Sequence, residues 1–572
     1  MKQRKLLEYT NGLKLQAVLA PFFKLLEAIS ELIVPLIIAQ IIDQGIASGD
    51  KDFIIIRFVA LIILGTVSFA FAVVAQYFSS SVANKYASRI RQGLFEHIQT
   101  LSYKELDQLG NSTLLTRMTS DVNQIQTGVN MFLRLLLRSP FIVFGALVMA
   151  FIVDYQLALI ILVIIPVLFL IVFLVMKMTL PKYKNIQDSL DSITKETREN
   201  LTGVRVIRAF TGEEKQVEDF NSKNEKFTHL QIFVGKISTL MNPLTLLVIN
   251  IGIICLLYFG GLKVNAGKLT DGEVVALYNY LSFILVELIK LANLVITISK
   301  AIACGKRVNS LFDIDSSLKF EKPIKVNDDY ISFDHVSFSY NQNGKEALKD
   351  VSFKVKPNQM IGVIGGTGSG KTTLVNLLEH NYDITSGRII FDGYQLNSYS
   401  LEELKRRISV VPQKAVLFEG SIRSNLLWGK KDASEEELNQ AIILSQSKDI
   451  IESKKDGLDE KVEPNGRNFS GGQKQRLTIA RALVKDAEIL ILDDSSSALD
   501  FKTDKELRSN LKKLKNKTIF IISQRTSSLI NCDHILLLDH GELVDQGTHE
   551  ELLSRCKLYQ DIHYCQYERE EK

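Results

Sequence analysis

Six apolar stretches, each long enough to cross a bilayer as a helix, fill the first half of the 572-residue chain: Leu15 to Ile42, Phe53 to Phe78, Leu133 to Val153, Leu157 to Met176, Leu240 to Leu262 and Val274 to Ile298. About 20 residues of helix cover ~30 Å of hydrocarbon, and within lipid each segment must satisfy its own backbone polar groups, so this half is restricted to a helical membrane domain. Six spans put both ends of the domain on one side. The connections after spans one and three are short and poor in basic residues. Those after spans two and four are long and carry Lys85, Arg89, Arg91, Lys104 and Arg117, then Lys182, Lys184, Lys195, Arg198, Arg205 and Arg208. The excess of Lys and Arg predicts that the long loops and both termini are cytoplasmic, in a multi-pass protein of the cytoplasmic membrane. Lys2, Arg4, Lys5 and Lys14 precede the first span with no small-residue cleavage site after it, so no secretory signal peptide is expected.

The overall mean hydropathy of +0.10 averages two unlike halves. Apolar residues at helical spacing (Leu94, Ile98, Leu101; Ile193, Thr197, Leu201) predict that the spans continue into the cytosol as helical stalks. Lys24, Glu27 and Glu31 can pair along one face of the first span, whereas Asn279 and Glu287 in the last span are either structural or functional. Past Lys300 the composition turns charged and turn-forming around Pro323. The expected division is a membrane domain over 1–305, a linker over 306–330, an α/β domain over 331–566 and a tail over 567–572.

In the second half, Gly365-Gly366-Thr367-Gly368-Ser369-Gly370-Lys371-Thr372 follows the apolar run Met360 to Ile364 and fits G-x-x-x-x-G-K-[ST] at every fixed position. Its glycines let backbone N–H groups turn onto phosphates, Lys371 reaches the terminal ones, and Thr372, followed by Thr373, offers a hydroxyl to Mg²⁺ at a helix N-terminus. The motif predicts ATP or GTP as ligand. Downstream, Ile489 to Leu492 is an apolar strand ending in Asp493, the place of a second Mg²⁺ anchor in a P-loop ATPase. Between these motifs, Asn468-Phe469-Ser470-Gly471-Gly472-Gln473 opens a helix and offers a second anion cradle.

Ser470 to Gln473 resemble the signature motif of the ATP-binding cassette (ABC) family, and the resemblance extends over nearly the whole chain. It implies that Ser470, Gly471, Gly472 and Gln473 act in trans, on nucleotide held by another subunit. By the same resemblance Tyr340 stacks on adenine, Gln413 reads the Mg²⁺ site, and Ser497-Ala498-Leu499-Asp500 crosses the dimer interface. Leu114 to Arg117 with Asp121, and Glu199 to Phe210, are similar to the two intracellular loops of exporter-type members, whose short coupling helices dock on the cassettes. The implied fold is a six-span α-helical membrane domain fused to an α/β P-loop domain, with ATP and Mg²⁺ as cofactors.

Two departures from the family pattern bear on hydrolysis. Asp494 stands where a hydrolytic cassette has a glutamate that activates water, and Gln524 replaces the histidine that contacts the γ-phosphate. Aspartate holds its carboxylate ~1.5 Å further back, and misplacement on that scale costs ~100-fold in rate. A neutral amide donates to phosphate but carries no proton. Together they suggest a degenerate site, in which binding survives and hydrolysis is weak. The expected partner is a homologous half-transporter that forms a heterodimer and completes a competent site with this chain's Ser470 to Gln473. The expected activity is ATP-driven export of a hydrophobic or amphiphilic small molecule, with peptide or lipid export and a regulatory ATP-binding role as alternatives. A net charge of +4 gives no argument for nucleic acid, and five scattered cysteines without a C-x-x-C pair point to reduced thiols.

Overall fold

The computed structural model describes residues 6–341, 344–496, 498–514 and 516–566. Lys2, Arg4, Lys5, Ser497, the side chain of Lys184 and the tail 567–572 lie outside the described residues. The chain divides into two compact units, one of Met1–Gln99 with Asn111–Ile314 and one of Thr100–Gly110 with Asp315–Lys572.

The first unit contains six helices long and apolar enough to cross a membrane: Lys14–Ile46, Lys51–Ile98, Asn111–Val153, Tyr155–Ala209, Glu213–Asn265 and Asp271–Phe312. Five of them, at 42 to 55 residues, far exceed a bilayer: at 1.5 Å per residue the 55-residue helix Tyr155–Ala209 is about 80 Å long, so the expected stalks are continuous with the spans. The turns between them are set by caps. Asp50 accepts from the Phe53 N–H, Asp154 from the Gln156 and Leu157 N–H groups, and Thr270 forms a capping box with Glu273.

Along this half of the chain the helices are α1 (Lys14–Gln40), α2 (Lys51–Ile98), α3 (Tyr103–Leu109), α4 (Asn111–Thr116), α5 (Val122–Leu135), α6 (Arg138–Val153), α7 (Tyr155–Ala209), α8 (Glu213–Asn265) and α9 (Asp271–Phe312), all in the first unit except α3, which belongs to the second. A charge network joins α1, α6 and α9. Arg138 donates two bonds to the Glu31 carboxylate (2.7 and 2.8 Å) and one to Glu287 Oε1 (2.7 Å), while Ser139 Oγ and Lys290 Nζ also donate to Glu287. Lys24 pairs with Glu27 at 2.5 Å, as helix spacing suggested, but Glu31 turns to Arg138 instead. Asn279 donates to the Val275 carbonyl of its own helix, a local structural bond. α9 runs through Phe312, seven residues into the segment assigned to the linker. Cys304, Val308, Leu311 and Phe312 are buried on one helical face, while Lys306 and Arg307 are exposed off it.

The second unit contains strands β1 (Ile331–Phe338), β2 (Leu348–Val355), β3 (Met360–Ile364), β4 (Ser386–Phe391), β5 (Tyr394–Gln395), β6 (Ile408–Val411), β7 (Gly420–Ser421), β8 (Lys461–Val462), β9 (Ile489–Asp493), β10 (Thr518–Ile522), β11 (His534–Asp539) and β12 (Glu542–Gly547). Six form a sheet in the order β12-β11-β3-β10-β9-β6, parallel except for β12, and β2-β1-β4-β5 form a second sheet. Helix α10 (Lys371–Leu378) packs Leu374, Leu377 and Leu378 into the core shared by both sheets. The central strands β3, β9 and β10 are buried throughout, which explains their unbroken apolar sequences.

The segment of the first long loop that joins this unit is α3. The Tyr382 hydroxyl donates to Asp107 (2.5 Å), the Tyr103 and Tyr382 rings meet edge-on at 6.3 Å, and Ser102 caps α3 beside Ser317. The resemblance pointed to Leu114 to Arg117 and Asp121, just downstream. These lie in the membrane unit, where Asp121 is held by Arg117 and Arg307.

Candidate nucleotide site

Register brings the site together. Ile522 of β10 pairs with Asp493 of β9 and with Val363 of β3, and Val411 of β6 pairs with Leu492. The C-terminal tips of four parallel strands therefore end at one level, where ligands of open α/β sheets bind. From that edge emerge the phosphate loop after β3, Gln413 after β6, Asp493 and Asp494 at the end of β9, and Gln524 after β10.

The loop backbone requires its glycines. A Cβ on Gly365 would stand 2.1 Å from the Leu538 carbonyl oxygen, and Gly370, which precedes α10, has φ +102° with Leu348 and Ala347 under 3 Å from any added Cβ. Lys371 is buried and its ammonium folds back over the loop, donating to the carbonyls of Gly365 (2.9 Å) and Gly366 (2.7 Å). Burial lowers its pKa, opposed by the carboxylates of Asp494 and Asp493. Phosphate oxygens would offer that ammonium better partners than the carbonyls do, because both members of the pair are then charged.

Asp493 is buried, which raises its pKa, while a hydrogen bond from the Thr372 side chain acts in the opposite sense. Thr372, Asp493 and Gln413 supply only oxygen donors suited to Mg²⁺, and no cluster of three or more His, Cys, Asp or Glu side chains able to hold a metal occurs among the described residues. This fits a cation that arrives with its nucleotide and keeps phosphate and water ligands. Tyr340 lies over the first turn of α10, its hydroxyl 3.1 Å from Thr373 Oγ1, held edge-on by Phe338 at 4.8 Å and Tyr382 at 5.3 Å. Its partial exposure leaves ring surface for a base.

The two departures sit at the same edge. Asp494 has φ +45° and its N–H donates to the Ile522 carbonyl, so its backbone is latched to β10. Gln413 Nε2 approaches Asp494 Oδ2. Gln524 points its side chain to solvent, and its carbonyl accepts a bond from Gln566 Nε2 at 2.7 Å.

Ser470 to Gln473 lie elsewhere, at the start of helix Gly471–Val484. Ser470 caps that helix through Gln473, and Ser470 and Gly471 are exposed. No hydrogen bond joins these four to the phosphate loop among the described residues. Gly472 approaches the Ala498 carbonyl so closely that a Cβ would stand 3.0 Å from it. Asp500 accepts from the Thr503 N–H and hydroxyl as the cap of helix Phe501–Lys512, bonds that lower its pKa. Sequence reasoning missed Tyr382, Asp107, Arg138 and Gln566, none of which lies in a motif.

The family model described as the ABC transporter transmembrane region matches residues 17–288, and the ABC transporter model matches residues 348–497. An uncharacterized ABC transporter ATP-binding protein of Bacillus subtilis, YfiB, is 35% identical over 99% of both chains. The chain belongs to the ABC transporter family. Its two matched regions and six apolar helices make it an exporter-type half-transporter, an ATP-driven multi-pass membrane protein. An ATP-dependent lipid A-core flippase of Syntrophus aciditrophicus is similar to this ABC exporter at 32% identity, over 85% of this chain and 82% of the flippase. Its fold matches that of a solved bacterial Atm1-family ABC exporter with ATP bound, with a TM-score of 0.82 and 23% identity over 98% of this chain and all of that one.

Proposed function

We propose that this ABC exporter is the subunit of a heterodimer that holds ATP well and hydrolyses it slowly, and that its cargo is hydrophobic or amphiphilic. The observation that carries this reading is the combination of a complete phosphate cradle with Asp494 and Gln524 at the two positions that serve hydrolysis. Residues Gly365 to Thr373 and Tyr340 hold the nucleotide, and Thr372, Asp493 and Gln413 hold Mg²⁺, which when bound neutralises charge on the transferring phosphoryl group. Lys371 exchanges its loop carbonyls for phosphate. Ser470 to Gln473, with Ser470 and Gly471 exposed and Ser470 and Gln473 turned to their own helix cap, are available to a nucleotide on the partner. The nucleotide-binding unit and both termini are cytoplasmic in this reading.

ATP can drive transport only through a difference in affinity between two conformations, so the closed pair must bind it better than the open one. Exposed Leu201, Val206 and Phe210 at the end of α7 support docking of the second long loop on a partner cassette. The test is ATP turnover by the purified chain alone and with a co-expressed homologous half-transporter, read together with retention of trapped nucleotide. Slow turnover alone and brisk turnover in the pair support the heterodimer. Turnover coupled to vectorial transport by this chain alone overturns it. The flippase relatives favour a second reading, export of a lipid, which transport assays with lipid and with small amphiphiles distinguish.

A further inference from the structure

The loop after β10 is held by the C-terminal end of the described chain. Helix Lys557–Tyr564 is anchored by Tyr559, fully buried, whose hydroxyl meets His549 Nδ1 at 2.8 Å. Two residues past that helix, the Gln566 side-chain amide makes a matched pair of bonds to the loop. Nε2 donates to the Gln524 carbonyl at 2.7 Å, and Oε1 accepts from the Thr526 N–H at 3.0 Å. A primary amide presents donor and acceptor side by side, the arrangement a neighbouring strand would offer to these two backbone groups. Neither group has another hydrogen bond among the described residues. Thr526 is buried, so its N–H needs a partner. Its hydroxyl is held in addition by His563 Nδ1 at 2.9 Å.

We infer that Gln566 is a positioning residue for the phosphate-sensing loop: its amide fixes the backbone at Gln524 and Thr526 and so sets how well this site tells ATP from ADP. The inference rests on the reading that Gln524 meets the γ-phosphate. A side chain that carries a neutral amide has only direction to contribute, and direction comes from a fixed backbone. Without the clasp the loop keeps the Thr526 Oγ1 contact to His563, the Arg508 bond to the Ser527 carbonyl and the Arg525 N–H bond to Ser523 Oγ, but the Gln524 carbonyl loses its partner, and Gln524 aims over a wider arc.

The test uses the full-length chain in detergent and measures ATP and ADP affinities by displacement of a fluorescent nucleotide, with Mg²⁺ present. Gln566→Ala is expected to weaken ATP binding roughly three- to tenfold, the range of one or two hydrogen bonds, with ADP affinity unchanged and only the small drop in melting temperature that one unmet buried N–H brings. Gln566→Glu, which keeps an acceptor for Thr526 but loses the donor to Gln524, should show a smaller loss in the same direction. Equal ATP-to-ADP ratios in Gln566→Ala and the parent, while Gln524→Ala collapses the ratio, overturn the clasp and leave the role of Gln524 standing. An unchanged ratio in Gln524→Ala removes the role of Gln524 and the clasp together. A parallel fall in both affinities with a lowered melting temperature assigns Gln566 a purely structural role and also overturns the inference.

Discussion

Gln413 Nε2 stands 3.5 Å from Asp494 Oδ2, the outer limit of a hydrogen bond, across the tips of the paired strands β6 and β9. The Asp494 backbone cannot advance to close that gap, because its N–H is bonded to the Ile522 carbonyl. Only a longer side chain can bring the carboxylate forward.

Asp494→Glu combined with Gln524→His is therefore expected to raise hydrolysis at this chain's own site. The added methylene moves the carboxylate by ~1.5 Å, and general-base function is worth ~10² to 10⁴ in rate. ATP turnover by the co-expressed pair, with the partner's own site disabled, should rise at least about tenfold. No rise would show that the slow step lies outside these two positions.

Gly370→Ala should abolish nucleotide binding while Gly368→Ala weakens it less. Both glycines have positive φ, but a Cβ on Gly370 meets Leu348 and the Ala347 carbonyl within 3 Å, whereas a Cβ on Gly368 meets nothing within 4 Å. The second change costs only backbone strain, about 1 to 2 kcal/mol. Binding of a fluorescent ATP analogue to the two variants measures the difference.

Much of this site was legible because its parts are short backbone-driven motifs. The phosphate loop, Asp493 and Ser470 each sit at a strand end or helix start that the sequence marks by an apolar run or a glycine cluster. The clasp by Gln566 was not legible, since one exposed glutamine near the end of a chain carries no pattern. Arg138 was equally hidden. It opens α6 at the edge of an apolar run, and its partners Glu31 and Glu287 lie 107 and 149 positions away. The pairing of Lys24 with Glu27 was visible because it is local, and the diversion of Glu31 to Arg138 was not because it is tertiary. That α9 continues past residue 305 was hidden for a related reason: composition averages over a helix, and the buried face of Val308, Leu311 and Phe312 is outvoted by the charges on the other side.

Arg138→Met should destabilise the membrane unit severely. It leaves Glu287, 3% exposed, with Lys290 and Ser139 but without its interhelical cation. Removing one partner of a buried ion pair costs about 3 to 5 kcal/mol. The double variant Arg138→Met, Glu287→Met also removes the buried carboxylate, leaving the more exposed Glu31 and Lys290 to solvent, and should recover more than half of the loss. Thermal stability in detergent tests this, and a double variant no better than the single one would show that the network is not a coupled unit.

Glu379 gives a pH dependence of known sign. It lies just after α10, where burial raises its pKa from 4.5 to about 7, and Asn381, Lys485 and Lys405 oppose the shift only in part. Between about pH 4.5 and 7 the folded chain therefore holds more of this proton than the unfolded chain does. The contribution to stability is fully present below pH 4.5, declines as pH rises, and is lost once pH passes 7. From pH 5 to pH 8 the loss is about 2 kcal/mol. Glu379→Gln keeps the shape and has no proton to lose, so its melting temperature should match the parent's near pH 5 and exceed it at pH 8. Titrating groups remote from Glu379 are common to both proteins and cancel in the comparison. A parent that instead melts above the variant at pH 8, with the difference closing toward acid, would mean that Glu379 is ionised at pH 5 and that Lys485 and Lys405, rather than burial, govern its charge.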